Sequence, residues 1–172
     1  MKTEIIKHWQ WLDMVWVEHP DNPGKLWEGV FRKGTGQVVW ALVENTSRNT
    51  FVLVEQFRPL LDARVIELVA GLVDPGYDPE TAIAKEIMEE TGYVAKRVEY
   101  LFSGPKSAGL TNEITLDFYA QVTWEPGAQM LEESERWLIV HETKNSFTDL
   151  KAFLEEEEKS GERKKRLEEK IY

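Results

Sequence analysis

Residues 71–93 have the sequence GLVDPGYDPETAIAKEIMEETGY, which predicts a turn followed by a capped helix. Asp78 can accept hydrogen bonds from the first helical turn, Pro79 suits the first helical position, and Glu80 favours the positive end of the helix dipole. Gly92 suits the left-handed position that commonly ends a helix. The segment therefore predicts a helix with a defined start and a defined stop.

The predicted helix carries three glutamates on one surface. Residues three and four positions apart are neighbours on a helix, so Glu86 lies beside both Glu89 and Glu90. Like charges at this spacing destabilise a helix by roughly 0.2–0.5 kcal/mol per pair, and a bound divalent cation reverses the sign of that interaction. The cluster is therefore either a metal site or a solvated acidic face, which is the usual nature of a glutamate-rich helix surface.

The order of features in residues 71–93 resembles the Nudix box, the loop-helix-loop signature of the Nudix hydrolases. The family pattern is Gly, five residues, Glu, seven residues, Arg-Glu, an aliphatic residue, any residue, Glu-Glu, any residue, Gly, and an aliphatic or aromatic residue. Seven positions of this chain match the pattern without an insertion, namely Gly71, Glu86, Ile87, Glu89, Glu90, Gly92 and Tyr93.

Two positions depart from the family pattern. Tyr77 stands where the family has its first Glu, and Lys85 stands where the family has Arg. In the family these two side chains form a salt bridge that braces the loop against the helix. A Tyr hydroxyl can still accept a hydrogen bond from a Lys. The departures therefore concern the rigidity of the loop more than the metal site.

Two further segments resemble the branch of the family that comprises ADP-ribose and nucleoside-diphosphate-sugar pyrophosphatases. Residues 54–59, VEQFRP, resemble a strand that ends in an Arg contacting a substrate phosphate, which is Arg58 here. Residues 67–71, ELVAG, resemble the stretch in which the carbonyl before the Gly binds metal, which is the carbonyl of Ala70 here. From the residues alone, Arg58 can hold a phosphate bidentately or form a structural ion pair.

A third segment, residues 107–113 with the sequence SAGLTNE, resembles the catalytic loop of the same branch. The resemblance implies that Gly109 contacts the substrate and that Glu113 handles the attacking water, with Glu89 as a second catalytic candidate. Ala108 replaces a Pro that marks ADP-ribose preference, so the substrate within the branch stays open. Without the resemblance, an ordinary surface residue at the start of a strand is the favoured interpretation of Glu113.

A second acidic group precedes the last predicted strand. It consists of Glu132, Glu133 and Glu135, and these residues are reserve candidates for a general base. The charged faces of the C-terminal helices are most simply solvated, although a binding role remains an alternative.

The resemblance implies a divalent-metal-dependent hydrolase that cuts the phosphoanhydride bond of a nucleoside diphosphate linked to a small molecule, such as ADP-ribose. The implied ligands of two or more Mg²⁺ or Mn²⁺ ions are the carbonyl of Ala70 and the carboxylates of Glu86, Glu89 and Glu90. Two alternatives remain: a nucleoside-triphosphate pyrophosphohydrolase, and a weakly active domain that senses a nucleotide.

Composition limits the remaining possibilities. With 172 residues and 42% hydrophobic residues, the chain is expected to form one globular domain spanning residues 1–172. A net charge of −10 disfavours general nucleic-acid binding. The absence of Cys excludes disulfides and thiolate zinc sites. With no apolar run of about 18 residues and no signal peptide, we expect a cytoplasmic protein without membrane contact.

The order of predicted elements is strands, helix, strands and helix, which indicates a mixed α/β fold. The predicted strands include residues 64–69 and residues 136–141. The resemblance implies an α/β/α sandwich with an N-terminal antiparallel β extension over about residues 1–40. Helices are expected over residues 148–172, with a break at Ser160-Gly161. The family branch usually forms homodimers through its N-terminal strands, and the Trp-rich start of this chain is consistent with a homodimer.

Overall fold

Two β-sheets and two α-helices make up residues 2–123, 125–131 and 133–168, the part of the chain that the computed structural model describes. The smaller sheet is antiparallel, and its strands are β1 (Thr3–His8), β2 (Leu12–Glu18) and β3 (Leu26–Arg32). It confirms the predicted N-terminal β extension. The extension ends earlier than expected, because the strand that begins at Gln37 already belongs to the larger sheet.

The larger sheet has seven strands and is mixed. They are β4 (Gln37–Asn45), β5 (Thr50–Arg58), β6 (Ala63–Glu67), β7 (Val69–Leu72), β8 (Ala95–Gly104), β9 (Ile114–Val122) and β10 (Ile139–Lys144). The order is β10-β5-β4-β9-β8, with β6 paired to β5 and β7 paired to β4. Only β4 and β9 pair in parallel among these strands. The predicted mixed α/β class is confirmed.

Helix α1 (Pro79–Thr91) begins and ends where the sequence signals predict. The Asp78 carboxylate accepts a hydrogen bond from the backbone N–H of Thr81 at 2.9 Å. At the other end, Gly92 has φ +74°, and its N–H donates to the carbonyl of Met88 at 3.0 Å. Local capping groups therefore fix both ends of the helix.

The hydrophobic core lies between α1 and the larger sheet. Ile83 and Ile87 of α1 are fully buried and belong to the same apolar cluster as Val39, Ala41 and Val69 of the sheet. Burying one such side chain contributes about 1.5–3 kcal/mol. This packing fixes the position of α1 relative to β7, the strand that leads into the glycine turn.

The C-terminal helix differs from the sequence prediction. Helix α2 (Phe147–Glu168) continues through Ser160-Gly161, where a break was predicted. A Gly inside a helix costs only about 1 kcal/mol relative to Ala, and this segment has no Pro to stop the helix. Residues 169–172 of the predicted helix lie outside the described residues. Neither helix of the described residues has both the length and the apolar composition of a transmembrane span.

Two strand predictions are also modified. The strand expected over residues 64–69 is divided at Leu68 into β6 and β7, which pair with different neighbours. The strand expected over residues 136–141 starts only at Ile139, because Glu133–Glu135 form a turn of 3-10 helix. This turn carries part of the second acidic group.

Candidate metal centre

Glu90 is the most deeply buried carboxylate of the candidate site, with only 1% of its surface exposed. The backbone N–H of Ala70 donates a hydrogen bond to it. Its Oε2 atom has no hydrogen-bond partner among the described residues. Burial, together with the negative charges of Glu135 and Glu86, raises the pKa of Glu90 to about 8. A buried carboxylate oxygen without a partner is costly, and a bound cation would satisfy it.

Glu86 lies against the backbone of β7 at Gly71. A Cβ atom placed on Gly71 would overlap the carboxyl carbon and the Oε1 atom of Glu86. The missing side chain therefore provides the space that the Glu86 carboxylate occupies. Since Ala70 precedes Gly71, Glu86 and Glu90 both approach the same short strand, β7. These residues fit a divalent cation, which prefers oxygen ligands.

Glu89 has a different partner. Lys85 Nζ donates to Glu89 Oε2 at 2.8 Å, and this hydrogen bond raises the pKa of Lys85 above its ordinary value. Lys85 therefore has its hydrogen-bond partner within the helix, at Glu89, in place of the Tyr77 hydroxyl that the sequence allowed as an acceptor. Among the described residues, no three carboxylate or imidazole groups already converge as ligands on one point. Lys85 thus contacts the Oε2 atom of the Glu89 carboxylate, which has a second oxygen that could bind a metal.

Arg58 forms an ion pair with Glu67 at the edge of the site. Its Nε atom donates to Glu67 Oε1 at 3.0 Å, and its terminal NH2 group donates to Oε2 at 2.5 Å. The hydrogen bond to Glu67 is the main cause of a raised pKa of Arg58, and the charges of Glu90 and Glu135 add to it. The structural ion pair is therefore present, and it places the guanidinium group within electrostatic reach of the buried carboxylate.

Glu113 is held by the smaller sheet. Its Oε1 atom accepts a hydrogen bond from Arg32 Nε at 2.6 Å. The loop before it is fastened to the same sheet, since Trp27 Nε1 donates to the carbonyl of Gly109 at 2.9 Å. The family resemblance implies that Glu113 handles the attacking water, and this role stays a prediction. The structure gives the Glu113 carboxylate a guanidinium partner on β3.

Glu135 is the carboxylate that the fold brings to Glu90. It lies on the 3-10 turn before β10, close enough for its negative charge to raise the pKa of Glu90. Sequence reasoning included Glu135 only among the reserve candidates for a general base, on the signal of an acidic run before a strand. Glu132, from the same group, lies outside the described residues.

This chain is similar in sequence to one domain family and to several known proteins. The NUDIX domain model matches residues 34–161. The chain is 34% identical over 96 residues to a methanol dehydrogenase activator of Bacillus methanolicus, covering 55% of this chain and 52% of that protein. It is 32% identical over 108 residues to an ADP-ribose pyrophosphatase of Bacillus subtilis (strain 168), covering 62% and 57%.

A third relative is a GDP-mannose pyrophosphatase of Yersinia pestis (strain Pestoides F). The two chains are 34% identical over 110 residues, which cover 60% of this chain and 53% of that protein. The chain thus spans about half the length of the curated relatives it matches. Two of these three relatives carry names of the branch that the sequence segments resemble.

Proposed function

Because this chain belongs to the Nudix family, we propose that it is a divalent-metal-dependent hydrolase acting on the phosphoanhydride bond of a nucleoside diphosphate linked to a sugar-like group. The observation that carries the proposal is the buried Glu90, whose Oε2 atom has no hydrogen-bond partner among the described residues and whose pKa is raised in part by the charges of Glu135 and Glu86. The names of the relatives, ADP-ribose pyrophosphatase and GDP-mannose pyrophosphatase, support the substrate class.

The proposed metal ligands lie on α1 and in β7. They are the carbonyl of Ala70 and the carboxylates of Glu86, Glu89 and Glu90, for Mg²⁺ or Mn²⁺. When bound, such ions neutralise a diphosphate, activate water and stabilise the leaving phosphate. In the metal-free protein, Lys85 compensates the negative charge of Glu89.

Gly71→Ala is expected to weaken Mn²⁺ binding by roughly 10–100-fold, the range typical of groups that orient metal ligands. The added methyl group displaces the Glu86 carboxylate, which is the flexible end of its side chain, so the fold should survive. Isothermal titration calorimetry measures the affinity. Gly104→Ala is the matched control, because no atom lies within 4 Å of its added Cβ. Equal affinities in both variants would contradict the role given to Gly71.

Substrate contacts are proposed on two sides of the metal ligands. Arg58 would hold a phosphate with the guanidinium surface that Glu67 leaves open. On the smaller sheet, the ring of Trp27 is fixed beside Gly109 by their hydrogen bond and is half exposed. Of the N-terminal tryptophans, Trp27 is therefore our candidate for stacking on a nucleobase.

The group that receives the proton of the attacking water has two candidates. Glu113 is the candidate from the loop resemblance, but Arg32 occupies its Oε1 atom. Glu135 is the candidate that the electrostatics of the site support, because its negative charge is one of the causes of the raised pKa of Glu90. A general base must reach the water directly or through one further water. We therefore propose Glu135 for this role, with Glu113 as the alternative.

Product analysis tests the reaction. With Mg²⁺, ADP-ribose should give AMP and ribose 5-phosphate, and a nucleotide sugar should give a nucleoside monophosphate and a sugar 1-phosphate. Because Ala108 replaces the marker Pro, we expect activity on several diphosphate sugars. Chromatography separates these products. Pyrophosphate release from nucleoside triphosphates, with diphosphate sugars untouched, would instead assign the chain to the triphosphate alternative.

A nucleotide sensor without efficient hydrolysis is the second candidate, and the departures at Tyr77 and Lys85 are the features that favour it. The three helix carboxylates argue against it, because their mutual repulsion serves no purpose without a bound cation.

We also propose a homodimer through the smaller sheet and its β1–β2 turn, whose large exposed apolar side chains include Ile5, Trp9, Trp11 and Leu26. Light scattering after size exclusion measures the oligomeric state.

A further inference from the structure

The loop of residues 125–131 is bonded to the last turn of α1. The final carbonyl groups of a helix have no partner within the helix and must find one elsewhere. Two such carbonyls accept hydrogen bonds from this loop: Glu89 O from Met130 N at 2.9 Å, and Glu90 O from Gln129 Nε2 at 2.5 Å. The carbonyl of Gly92, the residue that caps the helix, accepts a third from Gly127 N at 2.7 Å. The loop therefore caps the part of α1 that bears the proposed metal ligands.

At Gly92, the loop and the end of α1 meet backbone to backbone. A Cβ atom on Gly92 would overlap the carbonyl of Gly127, and the φ of Gly92, +74°, is itself unfavourable for other residues. Glycine is thus required at position 92, whereas a Cβ atom on Gly127 would make only an ordinary contact with the Gly92 carbonyl at 3.4 Å. Any side chain at Gly92 would push the loop away from α1.

The same loop leads directly to the proposed general base. Only four residues separate Met130 from Glu135, so the attachment of the loop to α1 limits where Glu135 can stand. Of the three hydrogen bonds, only the one from Gln129 is donated by a side chain. It ends on the backbone carbonyl of Glu90, the residue whose pKa is raised in part by the charge of Glu135.

We propose that Gln129 is a positioning residue, which fixes the loop on the end of α1 and thereby holds Glu135 at a fixed position relative to the carboxylates of α1. The inference rests on the function proposed above for Glu135 and Glu90. Gln129 itself has no contact with the reacting atoms in this role. Its amide N–H group acts through the loop that it fastens.

A double-mutant cycle tests the inference. Gln129→Ala removes the donor and should lower kcat on the active diphosphate substrate by roughly 10–100-fold, as is typical for groups that orient a site. Once Glu135 is misplaced, Glu135→Gln should cost much less than it does in the wild-type background. Met130→Ala is the matched control, because it shortens a half-exposed side chain of the same loop and keeps the backbone donor. Additive effects of the two substitutions would overturn the proposal.

A second measurement does not depend on activity. Hydrogen exchange in the metal-free protein reports the amides of Gly127 and Met130, both of which donate to α1. Gln129→Ala should accelerate exchange at both amides and leave the core amides of α1 protected. Unchanged exchange would overturn the inference even in an active enzyme. Accelerated exchange in a protein that hydrolyses none of the substrates would support the loop attachment and reject the proposed function instead.

Discussion

We expect Glu90→Gln to lower kcat/KM by roughly 10²-fold or more and also to stabilise the metal-free protein at neutral pH. A glutamine keeps the shape of the side chain but cannot supply a negatively charged ligand to a divalent cation. It also removes a carboxylate whose ionisation is opposed by burial, by Glu135 and by Glu86. Activity and stability should therefore change in opposite directions.

The stabilisation should depend on pH in a defined direction. The pKa of Glu90 is raised from its ordinary value of 4.5 to about 8, so between these values Glu90 is more fully protonated in the folded protein than in the unfolded chain. The contribution of Glu90 to the free energy of unfolding of the metal-free wild type should be largest below pH 4.5 and should decline as the pH rises toward 8, by on the order of a few kcal/mol. Glu90→Gln should lack this decline.

Urea denaturation measures both effects, at one pH near 4.5 and one near 8, with a chelator and with Mg²⁺. Mg²⁺ should stabilise the wild type near pH 8, since it binds only the folded state, and should have little effect on Glu90→Gln. Glu80→Gln is the matched control, because it makes the same change on an exposed residue of the first turn of α1. Equal stabilisation of the wild type and Glu90→Gln by Mg²⁺ would remove Glu90 from the metal site.

The sequence predicted the parts of the fold that local chemistry determines. Asp78, Pro79 and Gly92 act on the backbone within one helical turn, and α1 has the predicted start and stop. The family resemblance is confirmed by the NUDIX match over residues 34–161. The convergence of Glu86 and Glu90 on β7 also follows from their spacing, once α1 packs its apolar face on the sheet.

The other features depend on contacts between distant segments. The approach of Glu135 to Glu90 requires a loop whose backbone meets the end of α1, and no local pattern in the sequence specifies that meeting. The partner of Glu113 was equally hidden, because Arg32 is 81 residues away in the chain. The split between β6 and β7 likewise reflects two different neighbouring strands, which one apolar run cannot reveal.

Glu135→Gln is expected to lower kcat by roughly 10²–10⁴-fold, the range for loss of a general base. If Glu135 acts as a base and not as a metal ligand, the affinity for Mn²⁺ should stay nearly unchanged. Single-turnover kinetics and calorimetry separate the two roles. Loss of Mn²⁺ affinity in parallel with kcat would make Glu135 a ligand.

Glu113→Gln provides the matched comparison, since it makes the same change in the other candidate. With Arg32 bonded to its Oε1 atom at 2.6 Å, Glu113 is expected to act mainly by fixing its loop on the smaller sheet. The variant should therefore affect KM more than kcat, and Arg32→Ala should reproduce that effect. If Glu113→Gln instead loses 10²-fold or more in kcat at unchanged Mn²⁺ affinity, while Glu135→Gln stays near normal, Glu113 is the base. The proton of the water would then go to the carboxylate oxygen that Arg32 Nε does not contact, because Oε1 already accepts the hydrogen bond from Arg32.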